Sequence, residues 1–228
     1  MRHLSPKALR FRRGDRRIHA DAHAPKWFPY GRAKLRAEEV VRAESPPEME
    51  WVIVRLGYLY GPRNRTIKTH VEPAMRDRTM SILGKGDNAM AFTYVTDVVR
   101  AIALAGRVPA AARQILIAAG REHVTQRQYF DAMADIIGIP RIRKRTPYWL
   151  AYLAGWVGEY VIRGGPRRGT IRRASIALTG LPQHVKCEHT QKLLGWAPEV
   201  SFEEGMRNAA QWFREEYGMP SNQSRAAR

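Results

Sequence analysis

The run Trp51-Val-Ile-Val-Arg-Leu56 constrains the fold more than any other stretch of the chain. Its unbroken β-branched character belongs to a strand covered on both faces, as in a parallel sheet. It follows a segment rich in the helix formers Ala33, Leu35, Ala37, Glu38 and Glu39, entered through Pro29 and stopped near Ser45-Pro46-Pro47. Helix followed by buried strand is half of a βαβ unit, so an α/β architecture is expected. A turn, Gly57-Tyr58-Leu59-Tyr60-Gly61-Pro62-Arg63, is expected at the carboxyl end of the strand, the end at which open α/β sheets bind ligands.

The helix before that strand carries Tyr30 and Lys34, four residues apart and therefore on one face. An unperturbed tyrosine ionises near 10 and moves protons poorly at neutral pH. A fixed ammonium beside it favours the phenolate and makes it a usable general acid or base. Tyr-x-x-x-Lys alone is also what an ordinary surface helix presents, so its meaning depends on the rest of the chain.

Residues 64 to 83 read as a polar helix centred on His70 to Arg76, then a short strand at Ser81-Ile-Leu83. Gly84-Lys-Gly86-Asp-Asn88 lacks the third glycine and the Gly-Lys-Ser/Thr ending of a phosphate loop, and reads as a turn. Phe92 to Val95 gives another strand. Thr96 or Asp97 is expected to cap a helix with Val98, Val99, Ile102 and Ala103 as its inward stripe. Gln114 to Ala118 is a short strand, Val124-Thr125-Gln-Arg-Gln128 resembles a capping box for a helix to Ile137, and Gly138 stops it. Thr190 to Gly195 and Ser201 to Tyr217 give two closing helices.

Composition fixes the class without fixing the function. At 228 residues and 44% apolar content the chain can bury a sizeable core. Its one cysteine, Cys187, excludes an internal disulfide and makes a reducing compartment the default. No apolar stretch of signal-peptide type follows Met1, since Arg2, Lys7, Arg10, Arg12 and Arg13 interrupt it. The net charge of +18 sits in two blocks. Residues 1–36 hold eleven Lys/Arg against two Asp, and residues 141–173 hold nine against one Glu. No helix-turn-helix, zinc-finger or ribonucleoprotein pattern accompanies them, so nucleic acid is not the expected partner. His19, Asp21 and His23 alternate as a metal site on a strand would, but a solvated loop is the expectation. The second block brackets an apolar stretch from Tyr148 to Ile162, which is expected either to be buried as a core helix or substrate lid, or to lie in a membrane interface with its basic flanks near anionic headgroups.

Five motifs then stand in one order: Ser5, Tyr30-x-x-x-Lys34, Val52-Ile-Val-Arg-Leu-Gly-Tyr-Leu-Tyr-Gly-Pro-Arg63, Phe92-Thr-Tyr-Val-Thr-Asp97-Val-Val, and Leu193-Leu-Gly-Trp-Ala-Pro198. This order resembles the C-terminal two-thirds of an extended short-chain dehydrogenase/reductase, the NAD-dependent epimerase/dehydratase group, from about His3 to Tyr217. Gly84 to Asn88 followed by Phe92 to Val95 is most similar to its 3β-hydroxysteroid and sterol-4-carboxylate 3-dehydrogenase branch. Nucleotide-sugar members commonly carry an arginine where Met90 stands, and a thioether cannot neutralise a diphosphate.

The resemblance implies an incomplete Rossmann-like parallel sheet with a small, mostly helical substrate-binding lobe. Residues 1–63 and 89–120 would form the Rossmann-like part, 64–88 and 121–217 the lobe, and 218–228 a disordered tail. It implies Tyr30 as general acid/base, Lys34 as the partner that lowers its pKa and bonds the nicotinamide ribose, and Ser5 as the hydroxyl that bonds the reacting oxygen. Leu56, Gly57 and Tyr58 would pass the nicotinamide of NAD or NADP, and Met90, Tyr148 and Trp149 would meet substrate. The chain has no Gly-x-x-Gly-x-x-Gly turn for the pyrophosphate, so a truncated form lacking the cofactor half is expected. The activity implied is an oxidoreductase acting on a CH–OH group of a sterol-like or other apolar alcohol. The alternatives are a nucleotide-sugar epimerase/dehydratase, with Arg141, Arg143 and Arg145 as diphosphate partners, or a non-enzymatic basic protein binding nucleic acid or an anionic membrane. The expected location is the cytoplasm, with peripheral membrane contact through 141–173 and a homodimer as possible associations.

Overall fold

The computed structural model describes residues 28–160, 173–183 and 185–218. Ser5, the His19 to His23 group and the 219–228 tail lie outside the described residues. Helix α1 (Pro29–Glu44) begins with proline in its first turn and ends at Ser45, as its composition requires. Strand β1 (Val52–Leu56) follows and pairs in parallel with β6 (Gln114–Ala118), in the register Val52 to Gln114 through Leu56 to Ala118. The connection into β6 is α3 (Val95–Ala105), which packs on β1 and makes the crossover that a parallel neighbour needs.

Gly57 is where the chain changes partner. Its N–H donates to Ala118 O at 3.0 Å, prolonging the ladder with β6, and the next N–H, of Tyr58, donates to Ala91 O at 2.6 Å. Tyr58–Tyr60 thereby becomes β2, parallel to β5 (Phe92–Tyr94). The expected turn over Gly57 to Arg63 is therefore corrected: three of its residues are a strand, and the chain turns only at Gly61 and at Arg63. A side chain at Gly57 would put its Cβ 2.3 Å from Ala91 O, so no larger residue fits the switch.

Two apolar clusters result. One joins Tyr60, Phe92 and Tyr94 to α4 (Gln126–Ile137) and α8 (Phe202–Tyr217), with Phe213 fully buried. The other joins Leu116 and Ala118 of β6 to Ala101 and Ala105 of α3, and to Leu194 and Trp196 at the end of α7 (Glu188–Leu194). Side chains of this size are worth about 2–3 kcal/mol each when fully buried. The helix boundaries follow local chemistry: Thr125 and Gln128 close a reciprocal capping box on α4, Gly138 ends it in the left-handed conformation, and Ser201 Oγ accepts from Glu204 N on α8.

Around these clusters lie the π-helical turn Ile67–Val71 leading into α2 (Glu72–Arg76), and two further strand pairs. Strand β3 (Ile82–Leu83) runs parallel to β8 (Arg145–Thr146), and β4 (Ala89–Met90) runs antiparallel to β7 (Val124–Thr125). Helix α5 (Tyr148–Tyr160) leans on α6 (Arg173–Gly180).

Two expectations about α3 are also corrected. Its N-cap is Tyr94, and its inward stripe is Val98, Ala101 and Ala105, while Val99, Ile102 and Ala103 face out. Apolar residues run nearly all round this helix, so periodicity could not select the face, and the small Ala101 and Ala105 are the ones buried against the sheet. Asp97 does not cap its own helix. Its carboxylate accepts from Glu199 N at 3.1 Å and Val200 N at 3.2 Å, and lies 3.6 Å from Arg100. Burial raises its pKa despite those donors. Finally, β1 is only half-buried, with Leu56 exposed, because among the described residues it has a strand neighbour on one side alone.

Replacing Asp97 by Ala strands the two amides of the 199–200 turn and should cost about 2–4 kcal/mol in urea unfolding, where loss of one buried partner costs about 1–3 kcal/mol. Asp97→Asn, which keeps an acceptor, should cost less than half as much.

Candidate functional site

The residues of interest collect at the carboxyl ends of β1 and β6. Helix α1 carries Tyr30 and Lys34 on one side, and Lys34 Nζ stands 5.6 Å from the centroid of the Tyr30 ring. Phe28 flanks the same ring at 6.1 Å. Neither Tyr30 nor Lys34 is buried, and no residue of α1 is. What fastens the helix to the sheet is ionic. Arg55 Nε donates to Glu38 Oε1 at 2.8 Å and Arg55 Nη2 to Glu38 Oε2 at 2.6 Å, a two-pronged contact between half-buried side chains. Paired charge-assisted bonds fix angle as well as distance. The orientation of Tyr30 over the strand end thus depends on a residue of β1 itself.

Beyond Leu56 the strand delivers Tyr58, whose hydroxyl oxygen is shielded from solvent and makes no hydrogen bond. The Gln183 amide comes close enough to favour the Tyr58 phenolate. It is already engaged, however: Nε2 donates to Leu178 O at 2.6 Å and Oε1 accepts from Ala91 N at 3.3 Å. Burial therefore dominates and pushes the Tyr58 pKa up to about 12, and the nearby phenols of Tyr30 and Tyr129 add to the rise. That influence puts Tyr30 within electrostatic reach of Tyr58. Tyr129, stacked on Phe92 at 4.4 Å, is likewise raised to about 12 by burial.

A cavity of about 180 Å3 opens beside Gln183. Its walls are the backbone from Met90 to Ala91 and from Ala119 to His123, and the segment Val185 to Glu188. Arg121, Lys186, Glu122 and Glu188 make its lining polar and nearly balanced in charge. Cys187 is buried there, which raises the pKa of its thiol, although the thiol donates to Ala119 O at 3.7 Å. Drug-sized ligand sites occupy roughly 300–1,000 Å3, so this cavity holds a group rather than a whole sterol or nucleotide sugar.

The structure brings together Tyr30, Lys34, Leu56, Gly57 and Tyr58 near the strand end, and Met90 is buried in the adjoining wall. Tyr148 and Trp149 are not in this lining. Tyr148 packs its ring on Gly180 of α6, and Trp149 is largely exposed. Arg141, offered above as a diphosphate partner, is paired with Asp135 at 2.9 Å. Sequence reasoning missed Gln183, Lys186 and Cys187, which no motif marks. It also passed over Arg121 and His123, which follow the carboxyl end of β6 and so were open to the rule that located Leu56 to Tyr58.

Comparison with known proteins places these observations. Residues 14–118 match the NAD dependent epimerase/dehydratase family. The chain is 25% identical over 189 residues to a 2-alkyl-3-oxoalkanoate reductase of Stenotrophomonas maltophilia, covering 78% of this chain and 56% of that protein. It is 23% identical over 197 residues to a decarboxylating sterol-4-alpha-carboxylate 3-dehydrogenase of Mus musculus, covering 81% and 54%. Among solved structures, the UDP-glucuronic acid 4-epimerase of Bacillus cereus in complex with UDP-glucuronic acid and NAD superposes with a TM-score of 0.58 at 19% identity, over 83% of this chain and 53% of that one. The chain spans about half the length of the curated relatives it matches. The fold is α/β, with the incomplete Rossmann-like parallel sheet that the motif order implied.

Arg55→Met should release α1 without touching the two apolar clusters. Deuterium uptake of the α1 amides should rise by tenfold or more, the factor that a loss of about 1.4 kcal/mol gives, while uptake in α4 and α8 stays as in the parent.

Proposed function

We propose that the chain, whose residues 14–118 match the NAD dependent epimerase/dehydratase family, is a member of that family and carries the acid/base site of an NAD(P)-dependent oxidoreductase acting on a CH–OH group of a sterol-like or other apolar alcohol. The observation that supports this reading is Tyr30 beside Lys34 on a helix fastened to β1, within electrostatic reach of a second, neutral phenol at the strand end.

The residues fit one end of the cofactor. Tyr30, Lys34, the backbone from Leu56 to Tyr58 and the unbonded Tyr58 hydroxyl suit a nicotinamide with its ribose. No glycine-rich turn at a helix N-terminus stands among the described residues to take the pyrophosphate. A bound nicotinamide dinucleotide supplies hydride exchange. The chain's own part is proton management and alignment. Tyr30 takes the proton from the substrate hydroxyl on oxidation and returns it to the carbonyl oxygen on reduction. Lys34 stands beside that phenol and would hold the nicotinamide ribose. Ser5, by resemblance, bonds the reacting oxygen. Tyr58, with its pKa near 12, remains protonated at neutral pH and serves as a hydrogen-bond donor. Met90 offers the neighbouring wall a thioether where an anionic substrate would want a cation.

A nucleotide-sugar substrate is the second reading, favoured by Arg121 and Lys186 in the cavity lining. Glu122 and Glu188 offset both cations, which is why the apolar alcohol stands first.

The test is NADH formation with a 3β-hydroxysteroid, and conversion of UDP-glucose followed by analysis of the sugar product, since an epimerase returns the hydride and leaves no net NADH, each compared between the parent and Tyr30→Phe. The expected result is turnover of the steroid, lowered about a hundredfold or more in kcat by the substitution, the low end of what a lost proton carrier costs. Turnover of UDP-glucose with the steroid inert would establish the second reading, and equal rates for Tyr30→Phe would remove the assignment of that residue.

A further inference from the structure

Helix α5 has two unlike sides. The inner side is built for close contact: Ala151 and Gly155 are buried, and a Cβ on Gly155 would come within 2.8 Å of Ile176 Cδ1 and 3.0 Å of Arg173 N on α6. Glu159 locks this side, accepting from Arg173 N at 2.9 Å and from Arg173 Nε at 2.6 Å. The outer side carries Trp149, Leu150, Leu153, Trp156 and Val157, all exposed, Trp149 to 67%. At about 100° per residue these five span an arc of roughly 120° centred opposite Ala151 and Gly155. Among residues 148–159 of the helix, no polar side chain falls within it. A helix that presents one side to water ordinarily carries its charged residues there, so this side is matched to something other than water.

The neighbouring charge identifies the medium. Arg143, Lys144 and Arg145 precede the helix directly, and all three are exposed. Arg141 is held by Asp135, whereas no ion pair engages these three among the described residues. The described part of α5 has 13 residues and is about 20 Å long, and none of the described helices is long and apolar enough to cross a bilayer. A short helix with an apolar outer arc, two tryptophans and adjacent unpaired cations fits the plane of an anionic headgroup layer, where indoles rest at the boundary and cations meet phosphate. A second copy of this chain would meet the cluster with the same positive charge.

We infer that the outer arc of α5, with Arg143, Lys144 and Arg145, docks the protein flat on an anionic lipid surface. This docking stands apart from the proposed reaction and requires no turnover.

The experiment is co-sedimentation of the 228-residue chain with phosphatidylcholine vesicles containing or lacking phosphatidylserine. The parent should bind the mixed vesicles and lose on the order of a hundredfold in affinity without phosphatidylserine, roughly fivefold for each of three cations. Arg143→Ser with Arg145→Ser should weaken binding to the mixed vesicles roughly twenty-five-fold by the same arithmetic. Trp149→Ser with Leu153→Ser, both at exposed positions, should weaken it tenfold or more. An unbound parent, or equal binding by the Trp149/Leu153 variant, overturns the inference. So does a dimer in vesicle-free solution that the Trp149/Leu153 variant dissociates, since a second copy would then be what covers the arc.

Discussion

The structure depends on a backbone crossing at Gly57. There one strand stops pairing with β6 and starts pairing with β5, within the span of two successive N–H groups. The switch is possible only because the chain can come so near to Ala91 O and to Thr93 Oγ1 that a Cβ would lie 2.3 Å from the first and 2.6 Å from the second. Gly120 repeats the arrangement from the other side, where a Cβ would lie 2.4 Å from Phe92 O. Two bare backbone positions thus let β1, β2, β5 and β6 converge. Beside that convergence Ala91, Ala119 and Gly120 line the cavity.

Given that crossing, chemistry at the site is divided by environment. Tyr30 sits on a helix with no buried residue, beside an ammonium, while Tyr58 sits under the strand ends with its oxygen shielded and without a hydrogen bond. The same functional group in two surroundings can take two roles, one exchanging protons and the other donating a hydrogen bond. The Glu38–Arg55 contact makes the division geometric, because Arg55 belongs to β1 and Glu38 to α1. A helix tied at one point by a pair of charge-assisted bonds can be positioned well even though little of its surface is covered.

The sequence was most legible where local chemistry decides the outcome. Thr125 with Gln128, Gly138, Ser201 and Pro29 mark helix ends by hydrogen bonds and backbone angles that need no knowledge of the rest of the fold. The parallel pairing of β1 followed from its β-branched run. Legibility failed where neighbours decide. Tyr58-Leu59-Tyr60 is three residues between glycines and looks like a turn until β5 lies alongside it. The apolar residues of α3 encircle the helix, so only contact with the sheet selects Ala101 and Ala105 over Val99 and Ile102. In the site, Tyr30 and Lys34 were readable because four residues apart on a helix is a local relation. Lys186 and Cys187 reach the cavity through tertiary packing, which leaves no trace in their spacing.

The cavity and α5 together bear on how an apolar substrate would be held. A space of about 180 Å3 with Arg121, Lys186, Glu122 and Glu188 around it is polar and small, suited to the reacting end of a molecule. Met90 contributes an apolar wall there, but the exposed apolar arc from Trp149 to Val157 is not part of that lining. Apolar surface outside the cavity and polar groups within it perform different tasks: the first lowers the free energy of contact with lipid, and the second discriminates among head groups by hydrogen bonds. On the proposed reading, specificity for one alcohol over another would reside in Gln183 and the charged lining, whereas access to apolar alcohols would be a property of the molecule's outer face.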